Sequence, residues 1–414
     1  MQGSQLRSLL VIPSLLATLA AAPSAGAAPL PRHLLPARIA STLRTHALAG
    51  LATAVAVSDT ETGTVLYRRN ALRPLLPASN EKLYVTIAAL TELGPDFRYE
   101  TRVVEAGTRS GGVLHGNLFI VGAGDPTLSR FRITELARLI HAAGITRVTG
   151  RILGDETLFD RRRSGPGWPA RFIDVECPPL SAIAIDRDVA IQGTFVRTPA
   201  RRAARLLREA LEQRSIKTGA VGVGKAPTTA TPIAKTSSPP LWRILRFMNR
   251  ESDNFTAEMV AKGVGAYAGA GGTTAEGMRV ARGAIAPLLG DEAPRLTLAD
   301  GSGLSLADRS TASALARLLT AASADPTIAS AVFGSLSIAG RNGTLERRML
   351  TLGGRVRGKT GTLEGVSSLT AYVTSTTGHR YVISIVMNRS SLSFRQAHSA
   401  QDEIASLVAR LADN

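Results

Sequence analysis

Apolar and polar positions alternate in two stretches near opposite ends of the chain, and each reads as a β-hairpin. Residues 53–67, "TAVAVSDTETGTVLY", carry two β-branched runs around the turn residues 59–63. Residues 367–389, "SSLTAYVTSTTGHRYVISIVMNR", repeat the pattern around Thr377 and Gly378. Helical spacing then takes over, with Ile404, Leu407, Val408 and Leu411 on one face of a helix predicted over about 395–411. Strands at both ends with helices between predict one α/β domain whose sheet draws on both termini.

The middle of the chain is looser. Residues 99–234 contain short strand-like pieces ("GNLFIVGAG", "VAIQGTFV") and two helical patterns, over 134–143 and 202–213. They predict a smaller inserted domain, and the Gly/Pro/Thr-rich "KAPTTATPIAKTSSPP" predicts a linker returning to the main domain. The expected layout is a leader over 1–27, a main domain over 28–98 and 235–414, and the insertion over 99–234. The leader has one arginine, an apolar run over 9–22 and small residues at Ala25-Gly26-Ala27, as a cleavable secretory signal does. Its apolar run is short for a spanning helix and is interrupted by Pro13. The expected location is therefore the periplasm, or the outside of a cell with a single membrane.

Composition narrows the chemistry. The formal charge is +17, from 43 arginines and 6 lysines against 32 acidic residues. Such an excess favours a polyanionic partner or reflects a compositional bias towards arginine; for an exported chain it is compatible with an anionic cell wall and nothing sharper, and no zinc finger or basic helix points to nucleic acid. Cys177, the single cysteine, can form no intrachain disulfide and is expected to pack. The six histidines are scattered without metal-ligand spacing, so neither a metal nor a cofactor is expected.

One lysine stands where lysine is costly. In "PASNEKLYVTIAAL" Lys82 opens an apolar helical run three residues after Ser79. On a helix those two positions share a face, which brings an amine to a hydroxyl at the N-terminus, where the peptide dipoles favour a developing negative charge. A serine becomes a nucleophile once a neighbour takes its proton, and a buried lysine near another cation can do so. This S-x-x-K occurs once; S-x-N occurs once, at Ser252 and Asn254; K-T-G occurs at residues 217–219 and at Lys359-Thr360-Gly361. In that order the three form a strong joint signal for an active-site serine. The second K-T-G, set on a predicted strand, is the site copy. There Lys359 supplies the cation, Lys359 and Thr360 bind a substrate carboxylate, and the amide of Thr362 joins that of Ser79 as an oxyanion hole. Ser252 relays a proton to the leaving amine and Asn254 holds Lys82 and the substrate amide. "GAVGVGK" at 219–225 imitates a phosphate loop but is followed by Ala226 in place of Ser or Thr, and reads as a flexible turn.

With these motifs, and with "GNLFIVGAGDPTLS", "GDETLFD", "GPGWP", "DGSGLSLADRST" and "GRNGTLERRM", the chain resembles the class C low-molecular-weight penicillin-binding proteins, the D-alanyl-D-alanine carboxypeptidase/endopeptidases. The resemblance covers nearly the whole mature chain. It implies a penicillin-recognising, β-lactamase-like α/β domain, an antiparallel sheet flanked by helices, with an inserted smaller domain. It also implies acyl transfer at Ser79 on peptidoglycan stem peptides and covalent trapping by β-lactams. Asp155, in "GDETLF", matches an insertion position through which some members recognise a free amine on the peptide side chain. A serine β-lactamase or esterase on the same fold, or a non-catalytic wall-binding relative, are the alternative readings.

Overall fold

The computed structural model describes residues 28–50, 52–189 and 194–412. The expected leader and part of "VAIQGTFV" lie outside the described residues. The chain opens with α1 (Leu35–Thr45), the hairpin β1 (Thr53–Asp59) and β2 (Val65–Arg69), and α2 (Lys82–Leu93). It then forms β3 (Glu100–Ser110), β4 (Val113–Val121), α3 (Arg130–Ala142), β5 (Arg147–Val148), β6 (Ile152–Asp155), α4 (Pro199–Glu212), β7 (Val221–Val223) and β8 (Thr231–Ser237). Next come α5 (Leu241–Arg250), α6 (Asn254–Tyr267), α7 (Thr274–Leu289), α8 (Ala312–Ala324) and α9 (Ala329–Ser335). Strands β9 (Ser337–Ile338), β10 (Val356–Leu363), β11 (Val366–Thr374) and β12 (Arg380–Asn388) and helix α10 (Phe394–Ala409) complete it.

The main sheet has the order β2-β1-β12-β11-β10-β9 and is antiparallel throughout. Pairing of β1 with β12, from Thr53 opposite Met387 to Asp59 opposite Tyr381, joins the two ends of the chain. Strand alternation decides what covers each face. Val55, Val57, Ile383 and Ile385 pack against Leu35, Ile39 and Leu43 of α1 and Ile404 and Val408 of α10. Ala54, Ala56, Val382 and Val386 lie in the core beneath α2 and α5 to α8. Helix α2 is buried from Lys82 through Leu90, as an all-round apolar helix must be, and Lys82 is carried inside with it.

The second sheet, β7-β6-β4-β3-β8, mixes parallel and antiparallel pairs and packs against α3 and α4 through Leu118, Ile120, Leu136, Ile140, Leu207 and Leu211. Two expected loops are strands here. The expected linker contributes edge strand β8, opposite β3; Pro232 is tolerated at an edge, and the register shifts beside it, between Val103 and Val104. The expected flexible turn contains β7, which pairs in parallel with β6. In both places cross-strand partners outweigh a Gly- and Pro-rich local sequence. Phe159, Trp168, Cys177 and Leu180 then pack against Phe255 and Met259 of α6 and against Leu304, which seats the second body beside α6. Cys177 is buried in that junction.

Candidate active site

Ser79 lies in a 3₁₀ turn, Ala78–Glu81, that runs directly into α2. Ala78 has φ +49°, a left-handed conformation that is strained for a residue with a Cβ. Lys82 begins the α-helix and is fully buried. Its Nζ donates to Ser79 Oγ at 2.9 Å, Asn254 Oδ1 at 2.8 Å and the Ser302 carbonyl at 2.6 Å. Asn254 starts α6, capped by Asp253, whose Oδ1 accepts the Thr256 amide at 2.7 Å. Ser252 precedes the cap at φ +55°, a second strained position. Its Oγ accepts from Lys359 Nζ at 2.8 Å, and that ammonium also reaches the Thr360 carbonyl at 2.7 Å.

Strand β10 lies against the Ser79 turn because Gly361 has no side chain. A Cβ there would stand 2.3 Å from Ser368 Oγ, 2.7 Å from the Pro77 carbonyl and 3.0 Å from the Ser79 amide. Thr360 Oγ1 donates to Thr344 Oγ1 at 2.7 Å, and Thr362 lines the cleft. Strand β9 pairs with Arg357 and Gly358, and among the described residues no strand pairs with that edge of β10 beyond Lys359. The cleft, about 570 Å³, is lined by Ser79, Ser252, Asn254 and Thr362, together with Phe172, Glu176, Leu304, Leu363, Glu364 and Phe394.

Eight of the nine sequence-predicted site residues therefore converge: Ser79, Lys82, Ser252, Asn254, Lys359, Thr360, Gly361 and Thr362. Asp155 does not, and its expected role in amine recognition is corrected. It is buried at the end of β6, its Oδ1 accepts from the Thr157 amide and hydroxyl, and its Oδ2 accepts from the Ala226 amide at 2.7 Å. Those three bonds hold a turn, and the carboxylate is not among the groups lining the cleft.

Beneath Lys82 lies a layer of carboxylates to which the motifs assigned no role. Asp300 accepts from Trp168 Nε1 at 2.6 Å, the Gly303 amide at 2.7 Å, the Ser305 amide at 2.8 Å and Ser302 Oγ at 3.2 Å. Glu258 Oε1 accepts the amides of Gly301 and Ser302 at 3.0 and 2.8 Å. Together they fix the turn whose Ser302 carbonyl receives Lys82. Gly303, at φ +82°, presses that turn onto the Ala78 carbonyl, 2.0 Å from where its Cβ would be. The "DGSG" string was the available signal, since Asp followed by two glycines marks a turn.

Burial pulls the Lys82 ammonium down from 10.5 to about 8, against the opposing fields of Asp300, Asp253, Glu258 and Cys177. Burial also pushes Lys359 well below its ordinary value, and Lys82 pushes it further. Lys359 was expected to be the cation that favours neutral Lys82; the repulsion instead bears on Lys359, and no carboxylate among the described residues offsets it there. Glu258 rises to about 8, from burial and then Asp300. Glu81 rises well above the usual range by the same two causes and then Glu258.

The second body also reaches the site. Glu176 gives its carbonyl to Asn254 Nδ2 at 3.0 Å, and Arg187 forms an ion pair with Asp253. Arg187 lies over the Phe255 ring and sits between Asp186 and Asp188, all three with positive φ. No local pattern in the sequence pairs Arg187 with Asp253.

A serine bonded to a buried lysine, with a second lysine on an adjacent strand, is the geometry a family match can decide. The family model for D-Ala-D-Ala carboxypeptidase 3 (S13) matches residues 35–197 and 190–411. The chain belongs to that family. A carboxypeptidase of Mycobacterium tuberculosis is 31% identical, over 87% of this chain and 85% of its own length. The D-alanyl-D-alanine carboxypeptidase of Actinomadura sp. strain R39 is 32% identical, over 84% of this chain and 79% of its own. Among solved structures, penicillin-binding protein 4 of Haemophilus influenzae superposes with a TM-score of 0.76 at 19% identity, covering 89% of this chain and 98% of that one. The expected fold class is thus the observed one, and the S13 chain is an enzyme of the serine D-Ala-D-Ala carboxypeptidase class.

Proposed function

We propose that Ser79 is acylated by the peptide carbonyl preceding a terminal D-alanine or a D-amino-acid crosslink of peptidoglycan, and that water then hydrolyses the ester. The observation that carries this is the Lys82 hub: a buried ammonium shifted to about 8, bonded to both Ser79 and Asn254. The substrate carboxylate binds Lys359 and Thr360 and favours the proton on Lys359. That cation in turn opposes the charge on Lys82. Neutral Lys82 takes the hydroxyl proton as Ser79 Oγ bonds to the carbonyl carbon. The amides of Ser79 and Thr362 face the developing oxyanion. As the C–N bond breaks, the proton passes from Lys82 through Ser252 to the departing amine. Water repeats the attack on the ester, and Ser79 recovers its proton.

In a β-lactam the broken C–N bond leaves its amine tethered in the cleft, so deacylation is slow and the adduct persists. Export to the periplasm is part of the reading, supported by the composition of residues 1–27. Among the described residues no helix is long and apolar enough to cross a membrane. The test is labelling with a fluorescent penicillin, intact mass and D-alanine release from a D-Ala-D-Ala peptide. Wild type should give one adduct and released D-alanine, and Ser79→Ala neither. An adduct that survives in Ser79→Ala refutes the nucleophile.

A further inference from the structure

The outer face of α5 carries Trp242, Arg243, Arg246, Phe247 and Arg250, opposite its buried Leu241, Ile244, Leu245 and Met248. Arg243 and Arg246 both stack on the Trp242 indole, at 5.1 and 5.2 Å from its centroid. A second ring repeats the arrangement: Arg357 of β10 and Arg380 of β12 each lie 4.5 Å from the centroid of Phe333 on α9. Arg250 joins the two groups, donating to the Gly334 carbonyl at 3.0 Å, and Arg341 adds a sixth guanidinium.

These arginines act on one another. Burial first, then Arg246 and Arg357, holds Arg250 below its ordinary value; burial first, then Arg341 and Arg380, does the same to Arg357. Glu251 is the acid that opposes this at Arg250. Among the described residues, none of the six makes an ion pair with a carboxylate. On the outer face of α4, by contrast, Arg205 and Arg208 are matched by Glu209 and Glu212 one turn on.

The field begins where the carboxylate clamp ends. Arg357 precedes Lys359 by two residues on β10, so both side chains leave the same face, one strand repeat of about 6.6 Å apart. Arg250 precedes Ser252 by two, and its carbonyl accepts from Ser337 Oγ at 3.4 Å. On the far side a depression of about 360 Å³ opens between α5 and α9, with Trp242, Arg246, Thr327 and Ser330 in its wall. Guanidinium pairs on aromatic planes beside hydroxyls suit carboxylates, which arginine binds in a planar fork.

We infer that this arginine field is an exosite for a second, carboxylate-bearing peptide of the same polymeric substrate, held beside the cleft while Ser79 works on the first. The inference rests on the peptidoglycan reading above. The repulsion among unpaired guanidiniums is relieved when the polymer's carboxylates bind, and the same field draws the polymer toward Lys359. Excess arginine then has a location on the molecule rather than being a diffuse property of composition.

The test compares polymer with monomer. Wild type, Arg243→Glu/Arg246→Glu, the milder Arg243→Gln/Arg246→Gln and the control Arg205→Glu/Arg208→Glu are assayed on insoluble peptidoglycan and on a short D-Ala-D-Ala peptide, at low and high ionic strength. Acylation by fluorescent penicillin reports an intact site in each. On the polymer at low salt, the charge-reversed α5 variant should lose about tenfold in kcat/KM, within the range of steering effects, and the glutamine pair a smaller factor. On the short peptide both should stay within about twofold, and the α4 control should match wild type on both substrates. High salt should erase the wild-type advantage on the polymer.

Equal losses in the α5 and α4 variants would mean that only net charge matters, and no loss in either would mean that the patch binds nothing relevant; each overturns the exosite. So does a patch whose variants detach from anionic lipid vesicles while cleaving the polymer as wild type does. If wild type is neither acylated nor releases D-alanine, the peptidase reading fails; salt-sensitive co-sedimentation of the same variants with peptidoglycan then still decides the exosite.

Discussion

Titration of Lys82 should set the rate of acylation. A neutral amine is needed to take the Ser79 proton, and burial places the loss of its charge at about 8 in place of 10.5. At pH 7 about one molecule in ten then has the base ready, at pH 8 about half and at pH 9 about nine in ten. The second-order rate constant should rise about fivefold from pH 7 to pH 8 and less than about twofold from pH 8 to pH 9. An unperturbed lysine would be neutral at pH 7 in only about 0.03% of molecules, so the shift is worth about 300-fold at that pH.

The same shift bears on stability. Folded Lys82 releases its proton near 8 and the unfolded residue near 10.5, so the unfolded chain binds more protons in that window and stability rises with pH across it. Below the window the buried charge costs about 3 kcal/mol. The assay is stopped-flow acylation by a fluorescent penicillin from pH 6 to 10, with intact mass confirming one adduct, beside urea melts of wild type and Lys82→Met at pH 7 and pH 10. Lys82→Met should abolish acylation and lose the rise in stability that wild type gains between those two pH values. A rate constant that is flat from pH 6 to 9, or that bends only near 10, refutes the assignment of Lys82 as base.

Three further perturbations test what surrounds the base. Asp300→Asn removes the largest field opposing the shift of Lys82, so the acylation midpoint should move to lower pH, and unpaired donors in the 301–305 turn should cost about 2 kcal/mol or more in denaturant melts; an unmoved midpoint would remove Asp300 from the electrostatics. Gly361→Ala places a methyl against the Pro77 carbonyl and the Ser79 amide and should slow acylation by about a hundredfold while circular dichroism stays unchanged, a misplacement effect that wild-type rates would contradict. Arg187→Met breaks the pair that, with the Thr256 amide, holds Asp253 below its ordinary range despite burial. It should lower kcat by roughly tenfold with a smaller change in KM, because Ser252 and Asn254 lose their anchor; a rise in KM alone would place Arg187 in substrate binding instead.

Much of the site was legible because its chemistry is local. Ser79 and Lys82 share a turn, Ser252 and Asn254 share a helix start, and Lys359 to Thr362 share a strand edge, so spacing alone displayed three fragments of one machine. The two terminal hairpins were legible for the same reason, since a period of two needs no partner to be seen. What spacing cannot display is a contact between distant residues. Asp155 fits its string but is consumed by Thr157 and Ala226, and the stretch expected to be a linker became β8 once β3 offered it hydrogen bonds.

By itself, then, the sequence determined the pairing of Ser79 with Lys82, the placing of Lys359 on a strand, the class of reaction and a sheet drawn from both ends of the chain, because each rests on neighbours within a turn or a strand. Only the tertiary structure decided that Glu258 and Asp300 lie under Lys82, that Arg187 reaches Asp253 from the second body, and that six arginines from α5, the β9–β10 connection and two strands of the main sheet gather in one field. The physical reason is that burial and charge act through space. A lysine falls to about 8 because of what surrounds it after folding, and those surroundings come from segments far apart along the chain.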